Sequence, residues 1–127
     1  MNKKRVISTS DAPAAIGPYS QAVIYEQTVY CSGQIALDPV SGDLVGDDAG
    51  EQIERVMENV GKILEASGSE WDNVLKCTLY ITDMRDFSLV NKVYERYFPS
   101  AAPAREVVEV KALPKGAMVK LSCIAHQ

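Results

Sequence analysis

The sequence predicts an α+β sandwich in which two helices cover one face of a mixed sheet of about six strands. Three observations carry that reading. Short β-branched and aromatic runs bounded by Pro, Gly and Asp recur along the chain. Only two stretches show the 3-and-4 apolar spacing of a helix face. The last strand alternates between an apolar side and a half-polar one, which leaves the second sheet face uncovered by the chain's own helices.

Taken in order, Val6 and Ile7 open a short strand, and Asp11-Ala12-Pro13 with Gly17-Pro18 mark an irregular linker. Residues 22–25 and 28–32 read as a hairpin joined at Glu26-Gln27. Asp38-Pro39 and Ser41-Gly42 belong to a surface loop that ends at Asp48, where Glu51 three residues later makes a capping-box-like helix start. Ile53, Val56, Met57, Val60, Ile63 and Leu64 then form one apolar helical stripe, opposite Glu51, Glu54, Arg55, Glu58 and Lys62, ending near Gly68. Residues 74–82 read as a strand with Leu75, Cys77, Leu79 and Ile81 on one face and Lys76, Thr78, Tyr80 and Thr82 on the other. Phe87, Val90, Tyr94 and Phe98 restart the helical period, stopped by Pro99. Two final strands, about 105–113 and 118–125, flank Pro114-Lys115-Gly116. In the last of them Val119, Leu121, Cys123 and Ala125 face the helices, while Met118, Lys120, Ser122 and Ile124 face away. A face so mixed is too apolar for water and too polar for a sealed core, and it predicts packing against copies of itself in a closed homo-oligomer.

The 127 residues form a single domain, 1–127, able to hold a core without staples but too short for a second lobe. Any enclosed site must therefore borrow a wall from a neighbouring subunit. Thirteen basic against 17 acidic side chains, a net charge of −4 and a pI near 5.0 give no field that gathers phosphate backbones, so nucleic acid is not the expected partner. The basic start at Met1 resembles a signal-peptide n-region, but only two apolar residues follow it, and no run approaches a membrane span. Cys31, Cys77 and Cys123, each inside an apolar segment, read as buried thiols of a cytoplasmic protein. They form no metal-ligand spacing, and His126 is the one histidine, so no metal and no cofactor is expected. GxSxG, Walker and GxGxxG motifs are absent as well.

Three polar residues break their local pattern. Arg105 opens a strand directly after Pro103-Ala104, where its guanidinium suits either a carboxylate or phosphate ligand or a surface or interface salt bridge. Asn91 falls within the apolar stripe of the second helix, where its amide must either hold a loop or line a pocket. Tyr19, in a loop stiffened by Pro18, is equally an anchor or a site wall.

The segments Arg5-Val6-Ile7-Ser8-Thr9, Ile16-Gly17-Pro18-Tyr19-Ser20-Gln21-Ala22, Cys31-Ser32-Gly33-Gln34-Ile35, Asn91-Lys92-Val93-Tyr94, Pro103-Ala104-Arg105 and Leu113-Pro114-Lys115-Gly116 closely resemble, in order and spacing, the Rid family, also called YjgF or L-PSP. The resemblance runs from Arg5 to Ala125. It implies a chorismate-mutase-like fold, a homotrimer with its sheets facing inward, and clefts between subunits. It also implies a deaminase that hydrolyses 2-iminobutanoate, 2-iminopropanoate and related enamine or imine acids to 2-oxo acids and ammonia. By the same resemblance Arg105 grips the substrate carboxylate with help from the backbone N–H of Val107, and Tyr19, Ser32, Gly33, Phe87 and Asn91 line the cleft. An imine is already electrophilic, so orientation and a placed water suffice, in keeping with the missing nucleophile.

Two departures stand out. Glu106-Val107 follow Arg105 where the family commonly has Ser and then Cys or Thr, which is tolerable if Val107 contributes only main chain. The final strand commonly reads Glu-Ile-Glu-Ala-Ile-Ala in the family, and here reads Lys120-Leu121-Ser122-Cys123-Ile124-Ala125. Ser122 thus replaces the glutamate that the resemblance assigns to the attacking water, and a hydroxyl holds a water but is neither anionic nor basic near neutral pH. Two other functions compete with the deaminase: a small-carboxylate-binding or chaperone-like module with weakened catalysis, and an endoribonuclease, which the acidic pI disfavours.

Overall fold

The computed structural model describes residues 3–127; Met1 and Asn2, the first residues of the basic start, lie outside the described residues. Six strands form one sheet: β1 (Arg5–Ile7), β2 (Ala22–Tyr25), β3 (Thr28–Gln34), β4 (Val74–Ile81), β5 (Ala104–Glu109) and β6 (Val119–His126). Their order across the sheet is β1-β2-β3-β6-β4-β5. All neighbours are antiparallel except β4 and β5, which run parallel because α2 (Phe87–Glu95) carries the chain between them. The sheet is therefore mixed, with α1 (Ala49–Ala66) and α2 contacting each other, as the two-helix layer predicts.

The α1 stripe is the centre of the core. Ile53, Val56, Met57, Val60, Ile63 and Leu64 have no exposed surface, and each such side chain contributes about 1.5–3 kcal/mol on burial. The helix starts where the cap places it: Asp48 Oδ1 accepts from the Glu51 N–H at 2.8 Å. The return bond of the box shifts by one residue, Glu51 Oε2 accepting from the Asp47 N–H at 2.7 Å instead of from Asp48. Opposite α1, Val119, Leu121, Cys123 and Ala125 are buried, and Lys120, Ser122 and Ile124 are half-buried on the far face.

Three expectations change. Leu75 is 51% exposed, not on the buried face; a register shift between Val74 and Lys76 turns Val74 inward in its place. β5 ends at Glu109, short of the expected 113, and β4 lies between β5 and β6 in the sheet. The second helix ends at Glu95, so Phe98 sits in the following turn, where it still packs on Tyr94 with ring centroids 4.9 Å apart. No helix among the described residues is long and apolar enough to cross a membrane.

Candidate active site

Phe87, Asn91 and Tyr94 stand 4 and 3 residues apart, so one face of α2 presents an amide between two rings. The β4-α2-β5 connection lays that face beside the start of β5. Arg105, opposite Cys77 in the parallel pair, points to the helix side, and its Nη1 donates to Asn91 Oδ1 at 2.7 Å. Its guanidinium carbon lies 4.8 Å from the centroid of Tyr94 and 5.3 Å from that of Phe87. No carboxylate pairs with it among the described residues. The result is an exposed, oriented guanidinium with no ion pair among the described residues, beside a depression of about 380 Å³ lined also by Asn91, Tyr94, Glu95, Phe98 and Pro103. Val107 is two residues on, on the same side of an edge strand, where alternate backbone N–H groups have no partner strand within the chain.

Beneath Arg105 the site is apolar and protonated. Burial holds the Cys77 thiol up at about 12 and raises the Tyr94 phenol. The Tyr94 hydroxyl is buried without a hydrogen-bond partner, close to the Cys77 thiol. Cys31, Cys123 and Cys77 are direct cross-strand neighbours on the helix-facing side of the sheet, and all three are buried and free. A contact with Cys31 and burial also raise the Cys123 thiol, so neither Cys77 nor Cys123 is a nucleophile.

Tyr19, Ser32 and Gly33 assemble elsewhere, with Ser122 across the β3–β6 pair from Ser32 and Gly33. Cys31 pairs with Cys123 and Gln34 with Leu121, so Ser32 and Gly33 together oppose the single residue Ser122 in a β-bulge. Ser122 is flanked on its other side by Thr78. The Ser32 N–H donates to Gln21 O at 2.9 Å and its Oγ donates to Ser20 O at 2.6 Å, tying the bulge to the loop that carries Tyr19. That loop is held from inside by buried Gln21, whose amide nitrogen donates to Pro13 O at 2.8 Å and Thr9 O at 3.0 Å while its oxygen accepts from Thr9 N–H at 2.7 Å. At its tip, Tyr19 N–H donates to Gly17 O at 2.9 Å around Pro18, and Gly17 has a φ of 120° that a side chain would resist. Tyr19 is half exposed and, with Ser32, Gly33 and Lys120, lines a groove of about 880 Å³.

The expected site residues thus fall into two groups. Phe87, Asn91, Arg105 and Val107 come together at the β5 edge, and Tyr19, Ser32, Gly33 and Ser122 at the β3–β6 border. Within one chain β6 and β4 lie between Ser32–Gly33 and β5, about 14 Å of sheet, and β4 lies between Ser122 and β5, about 10 Å; the first group lies on the helix side while Ser122 faces away. Sequence reasoning missed Tyr94, whose i+7 position from Phe87 was a usable signal, and Gln21 and Lys120, for which a lone polar residue in or beside a strand gives none. Among the described residues no group of three His, Cys, Asp or Glu side chains is placed to hold a metal.

Residues 9–127 match the family model described as Endoribonuclease L-PSP. The chain is 50% identical over 124 residues to a goat protein named 2-iminobutanoate/2-iminopropanoate deaminase, covering 98% of this chain and 90% of that one. A Yersinia pestis protein of unknown function, described as belonging to the conserved Rid protein family, superposes with a TM-score of 0.96 at 44% identity, covering 98% and 100% of the two chains. RidA of an Antarctic Psychrobacter does so with a TM-score of 0.93 at 41% identity, covering 97% and 99%.

Proposed function

The chain belongs to the Endoribonuclease L-PSP family, the Rid family, and from that premise we propose that it is a 2-iminobutanoate/2-iminopropanoate deaminase whose active site forms between copies of the chain. The observation that carries this reading is Arg105: a guanidinium with no carboxylate partner, fixed by an amide and two rings, is pre-organised for a small carboxylate. Two of its remaining N–H donors grip the substrate carboxylate, and the Val107 N–H on the edge strand adds a third. The Tyr19–Ser32–Gly33 wall, with Ser122, closes the cleft from a neighbouring copy. A homotrimer supplies three such clefts, and the half-apolar outer face of β6 supports its packing.

The chemistry is hydrolysis. A water held at the Ser122 hydroxyl adds its oxygen to C2 of the imine, giving a carbinolamine. The C–N bond then breaks, both water protons end on nitrogen, ammonia leaves, and the 2-oxo acid remains. An enamine first takes a proton at C3 and gives one up from nitrogen to become the imine. Ser122 donates or accepts a hydrogen bond to the water but removes no proton near pH 7, so orientation carries the rate. Ammonia release from imine generated by a threonine dehydratase, compared between wild type and Arg105→Ala, tests the reading; equal rates would sink the role of Arg105.

The second reading, carboxylate binding without turnover, is favoured by one observation: Ser122 offers no base. Calorimetric binding of 2-oxobutanoate with no acceleration of imine hydrolysis would establish it over the first.

A further inference from the structure

Lys120 is the one charged residue on the outer face of β6, two positions from Ser122. Its side chain lies across the Ser32–Gly33 bulge, with Cε in the space that a Cβ on Gly33 would take. Its Nζ stands 5.3 Å from the Tyr80 ring centroid, and no carboxylate pairs with it among the described residues. It lines the same groove as Tyr19, Ser32 and Gly33. The other charged side chains at that groove are Asp43 and Lys115, whose Nζ donates to Gly42 O at 3.0 Å, so cations outnumber carboxylates there by two to one. A half-buried ammonium on a face that packs against other copies loses hydration that an anion must replace. Among the described residues it has the Tyr80 ring but no carboxylate as a partner.

We propose that Lys120 binds a second substrate carboxylate, and that the preferred substrates are 2-imino acids whose side chain itself ends in a carboxylate, such as the imines of aspartate and glutamate. The inference rests on the deaminase reading of the site. Arg105 of a neighbouring copy holds the carboxylate next to C2, Ser122 holds the water over C2, and the side-chain carboxylate runs along β6 toward Lys120. Residues two apart on a strand are about 6.5–7 Å apart at Cα, a gap that a four- or five-carbon diacid and the flexible lysine stem bridge together. The reaction balances as before: imine dicarboxylate and water give 2-oxo dicarboxylate and ammonia, with the second carboxylate unchanged.

The test compares imines generated in situ by amino-acid oxidases from aspartate and from 2-aminobutyrate, for wild type, Lys120→Gln and Lys120→Glu. The ratio of kcat/KM for the dicarboxylic to the monocarboxylic imine is expected to favour the dicarboxylic one in wild type. It should fall about ten-fold or more in Lys120→Gln and further in Lys120→Glu, mainly through KM. An unchanged ratio in Lys120→Gln would overturn the proposal while leaving the deaminase reading intact. So would an unchanged ratio accompanied by loss of the oligomer in light scattering, which would give Lys120 to a subunit contact. If wild type turns over neither imine, the deaminase reading fails, and calorimetry still decides Lys120. Tighter binding of 2-oxoglutarate than of 2-oxobutanoate, erased by Lys120→Gln, upholds the second carboxylate site; equal binding of the two refutes it.

Discussion

On the α2 side of the site, Arg105 is fixed by side chains: an amide oxygen at 2.7 Å and two ring faces within 5.3 Å. On the β3 side, Ser32 and Gly33 are fixed by main chain, through a bulge, a 2.6 Å bond to Ser20 O and the buried Gln21 clamp. In the proposed function the first half grips the carboxylate. The second has the hydroxyls and the groove but lacks the guanidinium. In the proposed function this difference is what lets a chain of 127 residues do without a second lobe: each copy would carry two unlike half-sites, to be joined by assembly.

The largest effect should come from removing the grip. Arg105→Ala is expected to lower kcat/KM for 2-iminobutanoate about 10²–10³-fold, and Arg105→Lys to recover only part of it, because an ammonium cannot make two parallel bonds. Steady-state kinetics on both variants checks this, and a lysine variant equal to wild type would mean that charge alone suffices. Asn91→Ala should cost about ten-fold, chiefly in KM, because the guanidinium keeps its rings but loses its fixed bond. On the other half, Ser122→Ala should lower kcat by about ten-fold or less with KM nearly unchanged, since it orients a water and removes no proton. A loss as large as that of Arg105→Ala would show that Ser122 does more than orient.

Smaller effects report on the frames. Cys77, held up at about 12, and Cys123, also raised, should stay unreacted with a disulfide reagent at pH 8 in the native protein and react on unfolding in urea. Reaction of either in the native state would show that the floor beneath Arg105 opens. Asp83 binds Arg85 and its N–H just before α2, which holds its carboxyl down at about 2. A depressed carboxyl stabilises the fold above its unfolded value of 3.8 and loses that effect as pH falls toward 2. The small Tm deficit of Asp83→Asn should therefore be constant above about pH 5 and vanish near pH 2 in a thermal melt series.

Much of this was legible in residues whose chemistry is local. Asp48 and Glu51 announce α1, and the spacing from Ile53 to Leu64 names its buried face, because a helix writes its own period. Arg105 and Asn91 stood out as polar residues in apolar settings before either had a partner. Leu75 was misplaced because one extra residue in β4 inverts the alternation, and nothing local marks a bulge without a glycine. The insertion of β4 between β5 and β6 was equally hidden, since strand order is decided by where α2 carries the chain. Lys120 reads as an ordinary surface lysine until Gly33 and Tyr80 are found beneath it.

The two half-sites can be separated on different chains. Arg105→Ala destroys one, and Gly33→Leu, whose side chain would displace Lys120 and fill the groove, destroys the other; each alone is expected to be inactive as an oligomer. Unfolding the two together in equal amounts and refolding them should restore about a quarter of wild-type activity, the fraction of interfaces that pair an intact Arg105 side with an intact Gly33 side. A refolded mixture with no activity, although wild type carried through the same procedure regains its own and the variants are shown to co-assemble, would contradict a site shared between subunits.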